Sequence, residues 1–433
     1  MKELVVVERE QWLQAGCCGG HGQAQGSGSL PELAAASMRL GSHRFITTID
    51  STSSDFEVWC TWAKKLTLWK DAQNAFGIAF DIDGVLIRGN ETIGRAPDAL
   101  RRLYKDVERG ELLVPYIFLT NGGGTTEAAR AVVLTRQLKV PVNPIQVLLG
   151  HTPFKSLAKR YRSRRVLAVG KGDPAKAMTS YGFPKVVKME DFCKEFPHID
   201  PLESYKPWVK NETIPTDTHT PANERQIAAV FVCSDPVDWG GDLQVLCDVL
   251  RSGGLPGNVD SNIPQPPIFF AADDFEYPAK FSVPRFGMGA FRIALETLYV
   301  KLTKRPLAFT SFGKPKPIVY HLAGKSLHNI ARMMHFQDKM LLPSTETSSP
   351  STLELPEPRE EDPPLKTLYM IGDNPETDIA GAIRVGRPWF SILVRSGYFR
   401  GTGNHDKYPA DKVVDDVYEA VDFILKREGI STQ

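Results

Sequence analysis

Two carboxylates, Asp81 and Asp83, directly follow the apolar run at 75–80. Side chains two apart on an extended chain point the same way. The pair is therefore expected to crowd, and like charges at that range resist joint ionisation. A positive partner must compensate, and a divalent cation is the natural candidate. The plain alternative is a strand end capped by two aspartates in a turn. Two more apolar runs end in polar groups. The run at 114–119 leads into Thr120, Asn121 and the glycines Gly122, Gly123 and Gly124. The run at 368–371 leads into Gly372 and Asp373, with Asp378 just beyond. Lys314 adds a cation ahead of an amphipathic helix. Asp273 and Asp274 end a further apolar run at 267–272 and are placed as specificity elements facing a cleft. Gly170-Lys171-Gly172 has the glycines of a phosphate cradle, although a plain turn satisfies the same pattern.

The elements that must position these groups follow from the pattern between them. Apolar runs separated by helical stretches imply parallel strands buried on both faces. Open parallel sheets gather their functional groups at the carboxyl ends of the strands. Asp81, Thr120 and Asp373 would then converge on one edge despite their separation in sequence. A second alternation of strand and helix occupies 126–310, with strands expected around 165–170, 227–233 and 267–272. The reading is an α/β fold: a Rossmann-like parallel-sheet core at 73–125 and 311–433, interrupted by an inserted α/β cap domain at 126–310. The Ser-, Thr-, Pro- and Glu-rich stretch 343–364 is expected to be a disordered loop within the core, and 201–222 an insertion within the cap.

Bulk properties narrow the function. The 433-residue chain is 42% hydrophobic and 24% charged, with a formal net charge of +1. Such a balance gives no strong field toward nucleic acid or an acidic membrane. Six scattered cysteines form no CxxC pair, which argues against a zinc site or a disulfide framework. No run approaches the length of a membrane span. Residues 1–72 read as an N-terminal extension. Within it, 33–48 lacks acidic residues and is rich in Arg, Ser and Ala, the composition of a mitochondrial transit segment. The expected compartment is mitochondrial; a bland tail and a cytoplasmic protein are the alternative.

Taken in order, Asp81-Ile82-Asp83-Gly84-Val85, Thr120-Asn121, Lys314, and Gly372-Asp373 with Asp378 resemble the four motifs of the haloacid dehalogenase superfamily. The resemblance runs from position 75 to the C-terminus. A large insertion between the second and third motifs is similar to the subclass with a type IIA cap, which contains the NagD-like phosphatases. Phe286-Gly287-Met288-Gly289-Ala290 followed by Gly313-Lys314-Pro315 resembles that subclass near the return from cap to core. Pro284-Arg285-Phe286-Gly287, Leu295-Glu296-Thr297-Leu298-Tyr299 and Gly372-Asp373-Asn374-Pro375 further resemble a eukaryotic group within it, the relatives of the cat eye syndrome critical region protein.

The resemblance implies a Mg²⁺-dependent phosphatase working through an aspartyl-phosphate on Asp81. It implies Mg²⁺ held by the carboxylates of Asp81 and Asp373 and the backbone carbonyl of Asp83. Asp83 serves as general acid and base. Thr120 and the amides near Asn121 and Gly122 contact the phosphoryl group, and Asp274 stands on the substrate side. Lys314 offsets charge, and Asp378 orients Lys314 or a metal-bound water from behind. The implied partner is a small phosphorylated metabolite, and similar caps pair as homodimers. Two alternatives stand beside this reading: an interaction scaffold with little turnover, motivated by an Asp at 273 where similar caps often carry Asn and by the long loop at 343–364, and phosphoryl transfer linked to glycerophospholipid metabolism.

Overall fold

The computed structural model describes the backbone of 33–40 and 43–50, and residues 76–430 apart from 197, 207–221, 259–262, 280, 282 and 337–364. The chain divides into two units, Met1–Gln73 and Asn74–Gln433. In the first, Leu33–Leu40 pairs antiparallel with His43–Asp50. The stretch 33–48 falls within this hairpin; the rest of the 1–72 extension, the 343–364 loop and most of the 201–222 insertion lie outside the described residues.

The second unit holds two parallel sheets. In chain order, the first three strands are β1 (Phe76–Phe80), β2 (Tyr116–Leu119) and β3 (Val147–Leu148). Five more follow: β4 (Val166–Val169), β5 (Val186–Lys188), β6 (Ala229–Val232), β7 (Ile268–Phe270) and β8 (Phe309–Ser311). The last are β9 (Thr367–Gly372), β10 (Trp389–Val394) and β11 (Lys412–Val414). The core sheet runs β11-β10-β9-β1-β2-β3 and the cap sheet β5-β4-β6-β7-β8. Every neighbouring pair in both is parallel. The α/β class read from the strand pattern is therefore the class the chain adopts, with the cap inserted between halves of the core.

β1 explains the continuous apolar run at 76–80. Phe76, Ile78 and Phe80 pack on one side of the sheet with Tyr369 and Ile371. Ala79 packs on the other with Met370, Ile117 and Leu327 of the helix Pro317–Phe336. A strand covered on both faces has no polar positions to alternate, and each fully buried large side chain contributes roughly 1.5–3 kcal/mol.

One boundary differs from the sequence reading. Residues 126–148, assigned there to the insertion, pack on the core. The helix Glu127–Leu138 turns Ala131, Leu134 and Leu138 into the core cluster, and β3 extends the core sheet beside β2. Spacing of three and four residues defines that apolar face, but it does not say which sheet the face covers.

Where the chain passes from core to cap, a buried polar cluster stands. Glu127 Oε1 accepts from the Thr152 hydroxyl at 2.9 Å and the Tyr181 hydroxyl at 2.8 Å. Lys155 Nζ lies 3.0 Å from the same oxygen. His151 Nδ1 meets the Tyr181 hydroxyl at 2.7 Å. Burial pushes the His151 pKa down from 6.5 to about 4, against the opposing pull of Glu127. The imidazole thus stays neutral in the folded chain through a range where the unfolded chain takes up a proton. Stability is expected to fall as pH drops from 6.5 to about 4, by about 1.4 kcal/mol per pH unit. Urea unfolding at several pH values, with His151→Gln as comparison, checks this; identical acid profiles for the two proteins would remove His151 as the cause.

Candidate active site

The register brings the chemistry together. Phe80 stands beside Phe118 on one side and Ile371 on the other. The residues just past these ends, Asp81, Thr120 and Asp373, therefore emerge side by side at the carboxyl edge of the central strands. Asp81 N donates to Ile371 O at 2.9 Å, and Thr120 N to Leu148 O at 3.1 Å, which pins both departures from the sheet.

Asp81, Asp373 and Asp378 are buried, with one carboxylate oxygen from each lying within 4.8 Å of the others. Lys314, 3% exposed, sits among them: its Nζ is 2.5 Å from Asp81 Oδ1 and 2.7 Å from Asp378 Oδ1. Burial raises the Asp81 pKa well above 3.8; Lys314 opposes this, and the charges of Asp378 and Asp373 reinforce it. Burial and Asp378 push Asp373 up to about 7. Burial alone would lower the Lys314 pKa, but Asp378 and Asp81 hold it well above 10.5. Three carboxylates against one ammonium leave a desolvated excess of negative charge. A hard divalent cation with oxygen ligands balances it, so the donor set fits Mg²⁺.

The first motif leaves the sheet in a tight turn. Strand geometry ends at Phe80. Leu86 N and Ile87 N both turn back to Ile82 O, and Gly84 adopts a φ of +95°. Asp81 faces Asp373 and Asp378, from the other half of the core, and their charges help to raise its pKa. The Asp83 carboxylate lies toward the second strand end. A Cβ placed on Gly122 would stand 4.0 Å from Asp83 Oδ2 and 3.3 Å from Thr120 Oγ1. Thr120 Oγ1 accepts from Gly122 N at 3.0 Å, which leaves the hydroxyl hydrogen available to a ligand oxygen and engages the Gly122 amide.

The Asn121 side chain is taken up by contacts within the protein. Its Oδ1 accepts from Lys314 N at 2.7 Å; its Nδ2 donates to Lys314 O at 3.0 Å and to Asp274 Oδ2 at 2.7 Å. With both amide hydrogens engaged, Asn121 clamps the Lys314 loop and ties core to cap. Asp274 is the cap end of that tie, and burial pushes its pKa up to about 6 against the Asn121 bond. Asp273 pairs with Arg292 at 2.6 Å within the cap, so its carboxylate is a structural partner of the following helix. The Gly170-Lys171-Gly172 loop packs on the core: Asp173 N donates to Gly124 O at 2.7 Å, and Lys171 Nζ pairs with Asp235 at 2.8 Å.

Asp378 serves Lys314 through Oδ1 and its own loop through Oδ2, which accepts from Asn374 N at 3.1 Å. The Tyr320 hydroxyl donates to Asp378 O at 2.7 Å. Two residues that the sequence reading passed over, Gly397 and Tyr398, complete the site together with Gly84 of the first motif. Tyr398 N donates to Asp373 Oδ2 at 2.6 Å. Gly84 and Gly397 enclose that carboxylate so closely that a Cβ would lie 2.1 Å and 1.9 Å from Oδ2, respectively. The signal was available: Gly397 and Tyr398 follow the apolar run at 389–394, another strand ending at the same edge.

Comparison with known proteins agrees with this geometry. Residues 78–184 match the family described as haloacid dehalogenase-like hydrolase, and residues 311–420 match one described as HAD-hydrolase-like. The chain is 34% identical over 356 residues to a mitochondrial hydrolase of Saccharomyces cerevisiae, covering 81% of this chain and 95% of that one. It is 33% identical over 399 residues to a cardiolipin synthase (CMP-forming)/mitochondrial hydrolase fusion protein of Schizosaccharomyces pombe, of which it spans 58%. Its fold is similar to that of a hypothetical protein of Pyrococcus horikoshii, with a TM-score of 0.50 at 19% identity over 81% of this chain and 99% of that chain. No helix among the described residues is long and apolar enough to cross a membrane. The match on both sides of the insertion, together with the yeast relative along nearly its whole length, makes this chain a member of the haloacid dehalogenase superfamily, and a hydrolase.

Proposed function

We propose that the protein is a Mg²⁺-dependent phosphatase acting on a small phosphate monoester. The observation that carries this reading is the buried Asp81 carboxylate, held 2.5 Å from Lys314 and grouped with Asp373 and Asp378. Mg²⁺, when bound by the carboxylates of Asp81 and Asp373 and the Asp83 carbonyl, supplies positive charge against the substrate phosphate.

The chain's own residues do the rest. Asp81 attacks phosphorus, a bond forms from its carboxylate oxygen, and the ester oxygen leaves. Asp83 gives that oxygen a proton. It then takes one from the attacking water, whose oxygen bonds to phosphorus as the Asp81–phosphorus bond breaks. The Thr120 hydroxyl donates to the transferring group. Lys314 offsets charge shared by Asp81 and the phosphoryl oxygens, and Asp378 positions Lys314.

A screen of phosphate monoesters with Mg²⁺ and with chelator tests this reading. Metal-dependent phosphate release is expected; silence across the screen with intact metal binding overturns it. Metal binding has its own readout. Asp373 keeps a proton in the metal-free folded protein up to about pH 7 that the unfolded chain loses near 3.8. Stability of the metal-free protein is expected to decline across that window as pH rises. Mg²⁺ should raise the melting temperature most at the alkaline end, since it binds the deprotonated site. A melting temperature indifferent to Mg²⁺ at pH 8 argues against the site.

One motive for a scaffold weakens, because Asp273 is occupied by Arg292. A second reading, phosphoryl transfer in glycerophospholipid metabolism, is favoured by the fission yeast relative, where a homologous segment is joined to a cardiolipin synthase. The names of both yeast relatives, with the acid-poor stretch 33–48, support a mitochondrial location. Imaging the protein with and without those residues tests it.

A further inference from the structure

The carboxyl edge of the cap sheet has no part in the chemistry described so far. β4, β6 and β7 are parallel neighbours, so the residues that follow them leave at one edge. Those residues are Lys171 after β4, Ser234 and Asp235 after β6, and Asp274 after β7. The edge lies against the glycine loop of the core. A Cβ on Gly124 would overlap Lys171 O and stand 2.7 Å from Ser234 Oγ. Two residues earlier the same loop passes Thr120 Oγ1 and Asp83 Oδ2. Gly170 and Gly172 permit this approach, since a Cβ on either would overlap Ser234 O or Gly124 O, respectively. Their spacing thus reflects loops in contact rather than a phosphate cradle.

The side chains of this edge are held in place and only partly covered. Ser234 Oγ donates to Lys171 O at 2.8 Å, and Lys171 N to Asp235 O at 3.0 Å. Lys171 Nζ lies 2.8 Å from Asp235 Oδ2, with the two side chains 50% and 30% exposed. It stands 5.6 Å from the centre of the Tyr277 ring. Burial alone would lower the Lys171 pKa; Asp235 foremost, then Tyr277 and Asp83, hold it above 10.5. The ammonium therefore stands within reach of the Asp83 charge, on the side where the leaving group of a phosphate ester departs. A partly exposed ion pair adds little stability, so stability does not account for it.

The charges indicate which leaving group fits. Lys171 is matched by Asp235, and Asp274 adds a second carboxyl tied to Asn121. Among its described residues this edge offers no surplus cation to a second anion on the substrate. An ammonium beside a carboxylate suits hydroxyls: one donates to Asp235 while another accepts from Lys171. Tyr277 offers an apolar face to the carbons between them. Resting on the phosphatase reading, we propose that Lys171, Asp235 and Tyr277 select an uncharged leaving group with adjacent hydroxyls, so that the substrate is the phosphate monoester of a small polyol.

Steady-state turnover with Mg²⁺ tests this on glycerol phosphate, on n-propyl phosphate, which lacks the hydroxyls, on phosphoglycolate, which carries a second anion, and on p-nitrophenyl phosphate. In the wild type, kcat/KM for glycerol phosphate should exceed that for propyl phosphate and for phosphoglycolate by roughly tenfold or more, the scale of a charge-assisted hydrogen bond. Lys171→Met and Asp235→Asn should each lower the ratio of glycerol phosphate to propyl phosphate by roughly tenfold. An ion pair that only braces the cap would slow all the esters alike and leave that ratio unmoved. Such a result overturns the proposal, as does wild-type indifference to the hydroxyls. A preference for phosphoglycolate that Lys171→Met abolishes overturns it too and assigns the ammonium to a second anion. Turnover of p-nitrophenyl phosphate without selectivity among the others rejects the polyol alone; silence with every ester rejects the phosphatase reading and the polyol with it.

Discussion

Asp81→Asn is expected to lower phosphate release by at least about 10³-fold, the scale seen when a covalent nucleophile is removed, while leaving the fold intact. The amide keeps the shape of the carboxyl and cannot attack phosphorus. Its effect on stability follows from the same surroundings. Burial and the charges of Asp378 and Asp373 raise the Asp81 pKa, so in the metal-free protein the ionised form is the disfavoured one. A neutral amide resembles the protonated acid, and removes one negative charge from a cluster with too many. Metal-free melting should therefore be unchanged or slightly raised, and the rise on adding Mg²⁺ should shrink. Steady-state kinetics and paired melting curves with and without Mg²⁺ check all three outcomes. Wild-type-like turnover by this variant would reject Asp81 as nucleophile.

Lys314→Met should damage both stability and activity. The ammonium is buried between Asp81 and Asp378, and the backbone on either side of its Cα is clamped by Asn121. Methionine keeps much of the volume and removes the charge. Two buried carboxylates then lose their counterion, a change that costs about 3–5 kcal/mol in buried ion pairs. Part of that loss is met by protonation of the carboxylates, so it should grow as pH rises. Mg²⁺ should restore some stability but not turnover, because nothing then replaces the ammonium beside Asp81. Urea unfolding in chelator and in Mg²⁺ separates the two effects. A variant as stable as wild type in chelator at pH 8 would show that the triad does not depend on this cation.

The two variants probe opposite sides of one electrostatic balance. In the proposed reaction Asp81 carries the chemistry; its burial among carboxylates is a thermodynamic cost that Lys314 limits. Conservative changes at neighbouring positions should sort the same way. Those that alter the clamp, such as at Asn121, act through the placement of Lys314 and the attachment of the cap. Those that crowd Asp373, such as at Gly84 or Gly397, act through the carboxylate they enclose.

The sequence by itself determined the class of fold and which polar side chains gather at one edge of the sheet. Apolar runs at 75–80, 114–119 and 368–371 carry no polar alternation, which reads as strands covered on both faces. Parallel strands then place Asp81, Thr120 and Asp373 at one edge without reference to coordinates. Tertiary structure decided which of these groups face one another. The register of β9 against β1 brings Asp373 and Asp378 to Asp81. Asn121 and Asp274 became a clamp because an amide from the core and a carboxylate from the cap meet at 2.7 Å. The helix at 127–138 joined the core because its apolar face matched that sheet, a choice that periodicity alone leaves open. Local pattern is set by each residue's own periodicity and chemistry; pairing between distant segments depends on packing and register, which no short stretch of sequence contains.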